Sequence, residues 1–279
     1  MIQEGRVVQD GKEVKKAGSL LKPGAVAKIT LSLDRPSEHE PYDFPLNIVY
    51  EDSGLLVVNK PAGLVVHPGA GNPNKTLYNA LIAYSNSAWK PEMVHRLDKG
   101  TSGLLVIAKS EKVLLGLNQQ FAAHTVGRRY YALAMVTPRA RRIIQEEDSG
   151  RIETQLGRHP TQRTKMAVVE TAGKFSATNW KVLDKHSHAY LLELRLETGR
   201  THQIRVHLDH LASPILGDPL YGDFSLLPNE LEISCKAMGR QALHAKSLSF
   251  IHPLSNENLS FNSELPDDFQ ELMKVFAEF

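Results

Sequence analysis

The sequence predicts an α+β fold: a mixed, largely antiparallel sheet with flanking helices. Three observations carry this reading. Strand-like runs outnumber helical ones. The helical runs fall among them without strict strand–helix–strand alternation. And "YLLELRLE" (190–197) sets Tyr190, Leu192, Leu194 and Leu196 against Leu191, Glu193, Arg195 and Glu197, the pattern of a half-buried antiparallel strand. The 279 residues, 42% of them hydrophobic, are enough for a sizeable core in one large domain or two unequal ones.

In chain order, residues 5–32 read as short strands with turns, Asp10-Gly11 marking a hairpin, and are too few to build a core unaided. "DRPSEHEPYDFPL" (34–46) holds three prolines and no periodicity, so it reads as a linker. "NIVYEDSGLLVVNKP" is strand, turn at Asp52–Gly54, strand. "TLYNALIAYS" places Leu77, Leu81 and Tyr84 on one helical face. "GLLVIAK" (103–109) is a buried strand; Ser110 then caps a helix with Glu111 in its first turn and Leu114, Leu117 and Phe121 inward. "RRYYALAMV" is a strand. "QIRVHLDHLA" turns to helical spacing through Ile204, Leu208 and Leu211, and "QALHAKSLSFIHPLS" returns to strand.

Composition excludes several classes. The formal net charge is +2, so affinity for a polyanion must come from local clusters. One cysteine, Cys235, allows no intramolecular disulfide and fits a reducing compartment. The N-terminus lacks an apolar signal core, and no apolar stretch approaches the ~20 residues of a membrane span. A soluble cytoplasmic protein is the expectation. His202, His207 and His210 lack HExxH spacing, and there is no GxSxG elbow, GxxxxGK[ST] loop or GxGxxG, so no metal, acyl-transfer or nucleotide chemistry is expected.

Two constellations remain. In "MVHRLDKGTSGLLVIAK" (93–109), Asp98 sits between Arg96 and Lys99 at a turn that feeds the buried strand. A solvated turn is the plain reading. The functional one is a carboxylate kept ionised by nearby cations and able to act as nucleophile or electrostatic stabiliser. In "LETGRTHQIRVH" (196–207), Gly199 suits a tight turn, Thr201 is placed to cap a helix starting near His202, and Arg200 and Arg205 bracket its N-terminus as an anion site. An Arg205–Asp209 pair on a surface helix is the alternative. The clusters "GRRYY", "PRARR" and "GRHPTQRTK" form a focused phosphate-binding track, and Tyr130 and Tyr131 behind Arg128 and Arg129 offer a stacking face to an unpaired base.

In this order, "VHRLDKGTSGLLVIAK", "RRYYALA", "LETGRTHQIRVHL", "PILGDPLYG" and "QALHA…FIHP" resemble the RluA family of RNA pseudouridine synthases, over about residues 46–270. The resemblance implies the pseudouridine synthase fold with a central cleft: a catalytic domain at 46–279, a linker at 36–45, and at 1–35 a partial S4-like RNA-binding module without its helical first half. It implies isomerisation of specific uridines in RNA, by breaking the glycosidic bond and rejoining it through C5. "VVHPGAGNP" (65–73) and "RHPTQRTKMAVV" (158–169) favour a member acting on helix 69 of 23S rRNA. Asp98 matches the catalytic aspartate, Arg205 the arginine paired with it, Tyr130 the tyrosine stacked on the base, and Arg96 the side chain that fills the vacated stack. His95, Thr101, Arg128, Arg200 and His202 are implied to bind RNA; Ile204 and Leu243 are implied to form the apolar wall. No cofactor, an RNA partner, no membrane and a monomer are expected. A catalytically silent RNA-binding protein is the alternative.

Overall fold

The computed structural model describes residues 7–9, 11–14, 24–29, 40–69 and 71–279. The chain divides into two units, 1–39 and 40–279. In the first, strands β1 (Val7–Gln9), β2 (Lys12–Glu13) and β3 (Ala27–Ile29) form an antiparallel sheet of order β2-β1-β3. The expected hairpin closes with Gln9 opposite Lys12 and Gly11 at φ +81°. The S4-like reading of 1–35, and the linker up to residue 39, lie mostly outside the described residues. Residues 40–45 belong to the second unit, where Tyr42 and Phe44 pack against its core.

The second unit is built on a large mixed sheet. Its strands are β4 (Ile48–Glu51), β5 (Leu55–Lys60), β6 (Glu92–Met93), β7 (Ser102–Ala108), β8 (Gly127–Met135), β9 (Ser149–Arg158), β10 (Met166–Val168), β11 (Lys174–Lys185), β12 (Ala189–Leu196), β13 (Leu243–Ile251) and β14 (Asn258–Asn262). The spatial order is β10-β9-β11-β12-β8-β13-β7-β5-β4, with β6 on β7 and β14 on β13. Among the described residues every pairing is antiparallel except β13 with β7. The expected α+β, largely antiparallel class is the observed one.

Local chemistry sets the elements. The carboxylate of Asp52 accepts from the Gly54 and Leu55 amides at 2.7 and 2.8 Å and closes the β4–β5 turn. Helix α1 (Leu77–Ser85) is capped by a reciprocal Thr76–Asn79 box, α2 (Glu111–Ala122) by Ser110, and α3 (Pro138–Glu146) by Thr137. Strands β5 and β7 read as unbroken apolar runs because both faces are covered. Leu55, Val57, Leu104 and Val106 pack with Val113 and Leu117 of α2. Leu56, Val58, Leu105 and Ile107 face the larger core with Leu77 and Leu81 of α1 and with Phe269 and Phe276 of the last helix, Asp267–Ala277.

Two expectations are corrected. Tyr84 does not face inward; it is 43% exposed and its hydroxyl donates to Glu51 Oε2 at 2.6 Å. Strand β12 is buried on both faces from Ala189 to Leu194, because Leu191 of the face expected to be wet packs in the same core as Tyr190, Leu192 and Leu194. Glu193, on the face expected to be wet, is instead held by Arg195 at 3.1 Å and Arg129 at 3.6 Å.

Where β7 meets β13 in parallel the backbones come close. A Cβ on Gly103 would lie 2.4 Å from the Ala245 carbonyl oxygen, and the glycine sits at φ +112°. No side chain fits there. This seam lies directly after the Asp98 turn.

Candidate active site

An open cleft of about 1770 Å³ is lined by the 93–100 loop, the β12–α4 loop and the start of β8. Helix α4 spans Gln203–His210. Thr201 does not cap it: His202 takes the capping position at φ +55° with no side-chain cap bond. Gln203 does the local work instead, accepting from the Arg200 amide at 2.9 Å and the Thr198 hydroxyl at 2.7 Å. That tight entry turns Arg205 inward.

Arg205 is buried and stands between two carboxylates. Its Nη1 donates to Asp98 Oδ2 at 3.2 Å; its Nε and Nη2 donate to Asp218 at 2.7 and 2.8 Å. Burial works against its charge, but the Asp218 and Asp98 carboxylates outweigh it and raise the pKa above the ordinary arginine value. The Arg205–Asp209 alternative is thereby excluded. Asp218 is itself fully buried and also accepts from the Leu220 and Tyr221 amides at 2.9 and 3.2 Å. Asp98 keeps 18% of its side chain exposed, toward the cleft. An acid open to a ligand is thus paired by a guanidinium whose other edge is locked from behind.

The turn carrying Asp98 is held from several sides. The Thr101 amide donates to the Asp98 carbonyl at 3.1 Å, and Gly63 N–H to the Lys99 carbonyl at 2.8 Å. Buried Lys60 donates to the carbonyls of Pro61 and Leu64, each at 2.8 Å, and of Lys99 at 3.3 Å. Desolvation pulls its pKa down to about 7. Arg240 reaches the Gly100 carbonyl at 3.1 Å while gripping Asp268 with its other nitrogens.

Tyr130 is buried and lines the same cleft; burial raises its hydroxyl pKa. Arg96 is exposed at the rim and makes no hydrogen bond or ion pair with another described residue. Arg200 lines the cleft and donates from Nε to the Phe175 carbonyl at 3.1 Å. Arg128 also lines it, its guanidinium 5.1 Å from the Phe121 ring. His202 points Nε2 toward Asp98 Oδ2 at 3.9 Å; burial lowers its pKa. His95 borders the cleft too, but its Nε2 accepts the Val106 amide at 3.2 Å, and burial takes its pKa down to about 3. Thr101, Ile204 and Leu243 are buried behind the lining rather than in it; Thr101 accepts from Gln241 at 3.0 Å. Among the described residues no group of three or more His, Cys, Asp or Glu is disposed to hold a metal, and no helix is long and apolar enough to cross a membrane.

Residue types alone did not mark Asp218, Tyr221, Lys60 or Arg240. "PILGDPLYG" reads as a turn, and Lys60 as the charged end of a strand. Asp218 meets Arg205 13 positions back, Tyr221 meets Met166 55 positions back, and Lys60 reaches the Lys99 carbonyl 39 positions on, contacts that no local pattern marks.

The sequence model of the RNA pseudouridylate synthase family matches residues 54–210, which include Asp98, Tyr130 and Arg205. The chain belongs to this family, in its RluA branch. The synthase is 44% identical over 255 residues to ribosomal large subunit pseudouridine synthase D of Zymomonas mobilis, covering 88% of this chain and 78% of that one. To the protein of the same name from Escherichia coli it is 38% identical over 281 residues, covering 98% and 83%. Among solved structures it is similar to human RNA pseudouridylate synthase domain containing 4, with TM-score 0.66 and 25% identity, over 82% of this chain and 92% of that one. The synthase isomerises uridine to pseudouridine in RNA.

Proposed function

We propose that the synthase modifies uridines of large-subunit ribosomal RNA, of the helix 69 type, with Asp98, Arg205 and Tyr130 at the reacting atoms. The relatives' names support the RNA class. The observation that carries the site is the 3.2 Å Asp98–Arg205 pair at the floor of an open cleft that Tyr130 also lines.

The reaction breaks uracil N1–C1′, turns the base and joins C5 to C1′. Nothing is oxidised or hydrolysed, so the chemistry calls for no cofactor. Uracil leaves with its negative charge spread over its carbonyl oxygens, which lessens the need for the second carboxylate that glycosidic cleavage otherwise uses. Asp98 acts ionised, either adding to C1′ or taking a proton from C2′; Arg205 holds the negative charge both routes need. After C5 rejoins, its proton must leave. Burial keeps Tyr130 a neutral phenol near pH 7. It takes that proton only while passing its own hydroxyl hydrogen to water, so the step is a relay.

Reaching the base means extruding it from the RNA stack, at a cost of a few kcal/mol. Arg96, two residues from Asp98, fills the vacancy, and Arg128 and Arg200 hold phosphates that offset the cost. Thr101, Ile204 and Leu243 act from behind the wall, setting its shape. The site is assembled within one chain, which supports a monomer, and the lone cysteine supports a cytoplasmic setting.

The test is Asp98→Asn on RNA labelled with tritium at uridine C5. The variant binds RNA as the parent does and releases no tritium. Tritium release by the Asn variant overturns the assignment. Binding without release by the parent chain marks a silent RNA-binding protein instead.

A further inference from the structure

Tyr221 belongs to none of the groups assigned above, yet it touches three parts of the site at once. Its ring lies 4.9 Å from the Arg205 guanidinium. Its hydroxyl lies 2.9 Å from His202 Nδ1. The same hydroxyl accepts the Met166 amide at 2.8 Å and lies 3.2 Å from the Met166 carbonyl. Met166 opens β10, directly after the turn that carries Arg163 and Lys165, and Lys165 Nζ sits 5.6 Å from the Tyr221 ring.

We propose that Tyr221 is a positioning residue that ties the basic β9–β10 hairpin to the reacting centre by fixing the tautomer and aim of His202. A phenol has one hydrogen to give. Its oxygen already accepts from the Met166 amide; the Met166 carbonyl at 3.2 Å lies beyond the usual range of about 2.5–3.0 Å for an O–H···O bond, so the hydrogen goes to His202 Nδ1 at 2.9 Å. His202 then holds its own proton on Nε2, aimed at Asp98. The 3.9 Å gap is too long for a direct hydrogen bond. It fits a substrate oxygen lying about 2.8 Å from both groups. The charged and titratable groups facing His202 are Asp98 and Arg96 from the loop before β7, Arg205 on α4, and Asp218 and Tyr221 from the loop after it. Donation to Nδ1 favours the neutral ring, in the same direction as burial. Seating RNA on the hairpin is thereby felt at His202 through one hydroxyl.

This rests on Asp98 and Arg205 being the reacting pair, so Asp98→Asn is run beside it. Tyr221→Phe keeps the ring on Arg205 and removes the hydroxyl alone. Single-turnover rate at saturating RNA should fall about tenfold, the kinetic equivalent of one lost hydrogen bond. The acid limb of the pH–rate profile should move to higher pH, because the neutral imidazole has lost its donor. The substitution should have no further effect on rate when His202 is already alanine, and exchange at the Met166 amide should quicken. Parental rate and pH profile in Tyr221→Phe, additivity with His202→Ala, or unchanged exchange at Met166 overturns the proposal. An active Asp98→Asn variant overturns the underlying site instead.

Discussion

Asp218→Asn probes the charge arrangement most directly. The wild-type carboxylate is fully buried and takes two guanidinium hydrogen bonds at 2.7 and 2.8 Å. The amide keeps the shape and one acceptor but removes the charge, leaving a buried guanidinium with Asp98 alone. Removing one partner of a buried pair costs about 3–5 kcal/mol. In a unit spanning residues 40–279, each kcal/mol moves the melting temperature by about 2–4 °C, so a drop of roughly 6–20 °C follows. Thermal unfolding at pH 7 measures it. The double variant Asp218→Asn/Arg205→Gln removes both charges and should regain part of the loss, although it is inactive. A single variant melting within about 2 °C of the parent refutes the reasoning. So does a double variant whose loss equals the sum of the two single ones.

Two further outcomes are expected. Burial lowers His95 to about 3 and His207 and His244 to about 4. Below an unfolded value near 6.5 the unfolded chain binds more protons than the folded one, so stability falls as pH drops from about 6.5 to 4. The urea midpoint should follow that window, with a shallower fall in His207→Gln; equal slopes would refute it. Arg96→Ala should leave the melting temperature unchanged, since the side chain is exposed and unpaired among the described residues. Its turnover should fall about tenfold if about 1.4 kcal/mol of extrusion cost returns; undiminished turnover on structured RNA would show that the stack is filled by something else.

The local rules of the chain were readable where they are self-contained. Ser110 caps α2 and the 104–108 run is a buried strand, because capping and apolar continuity need no distant partner. Asp98 and Arg205 could be named from motif resemblance, but their 3.2 Å separation spans 107 residues, and no periodicity encodes that. Asp218 was hidden more deeply: Gly-Asp-Pro is ordinary turn chemistry, and its role exists only once α4 brings Arg205 over it. Thr201 had the right residue type for a cap. Gln203 instead accepts from the Arg200 amide ahead of the helix, and His202 takes the capping position in a left-handed conformation. Tyr84 counted as apolar by spacing, and its hydroxyl found Glu51 on the surface.

Strand β13 lies between β7 and β8 although it follows both in the chain by more than a hundred residues. The acid precedes β7 and the tyrosine sits on β8, so the two stand on opposite sides of a strand that the ribosome makes last among the three. Until residue 251 has emerged, a growing chain carries Asp98 without the neighbour that seats its loop at Gly103. A chain stopped before residue 243 therefore lacks the strand that joins the segment carrying the acid to the strand carrying the tyrosine.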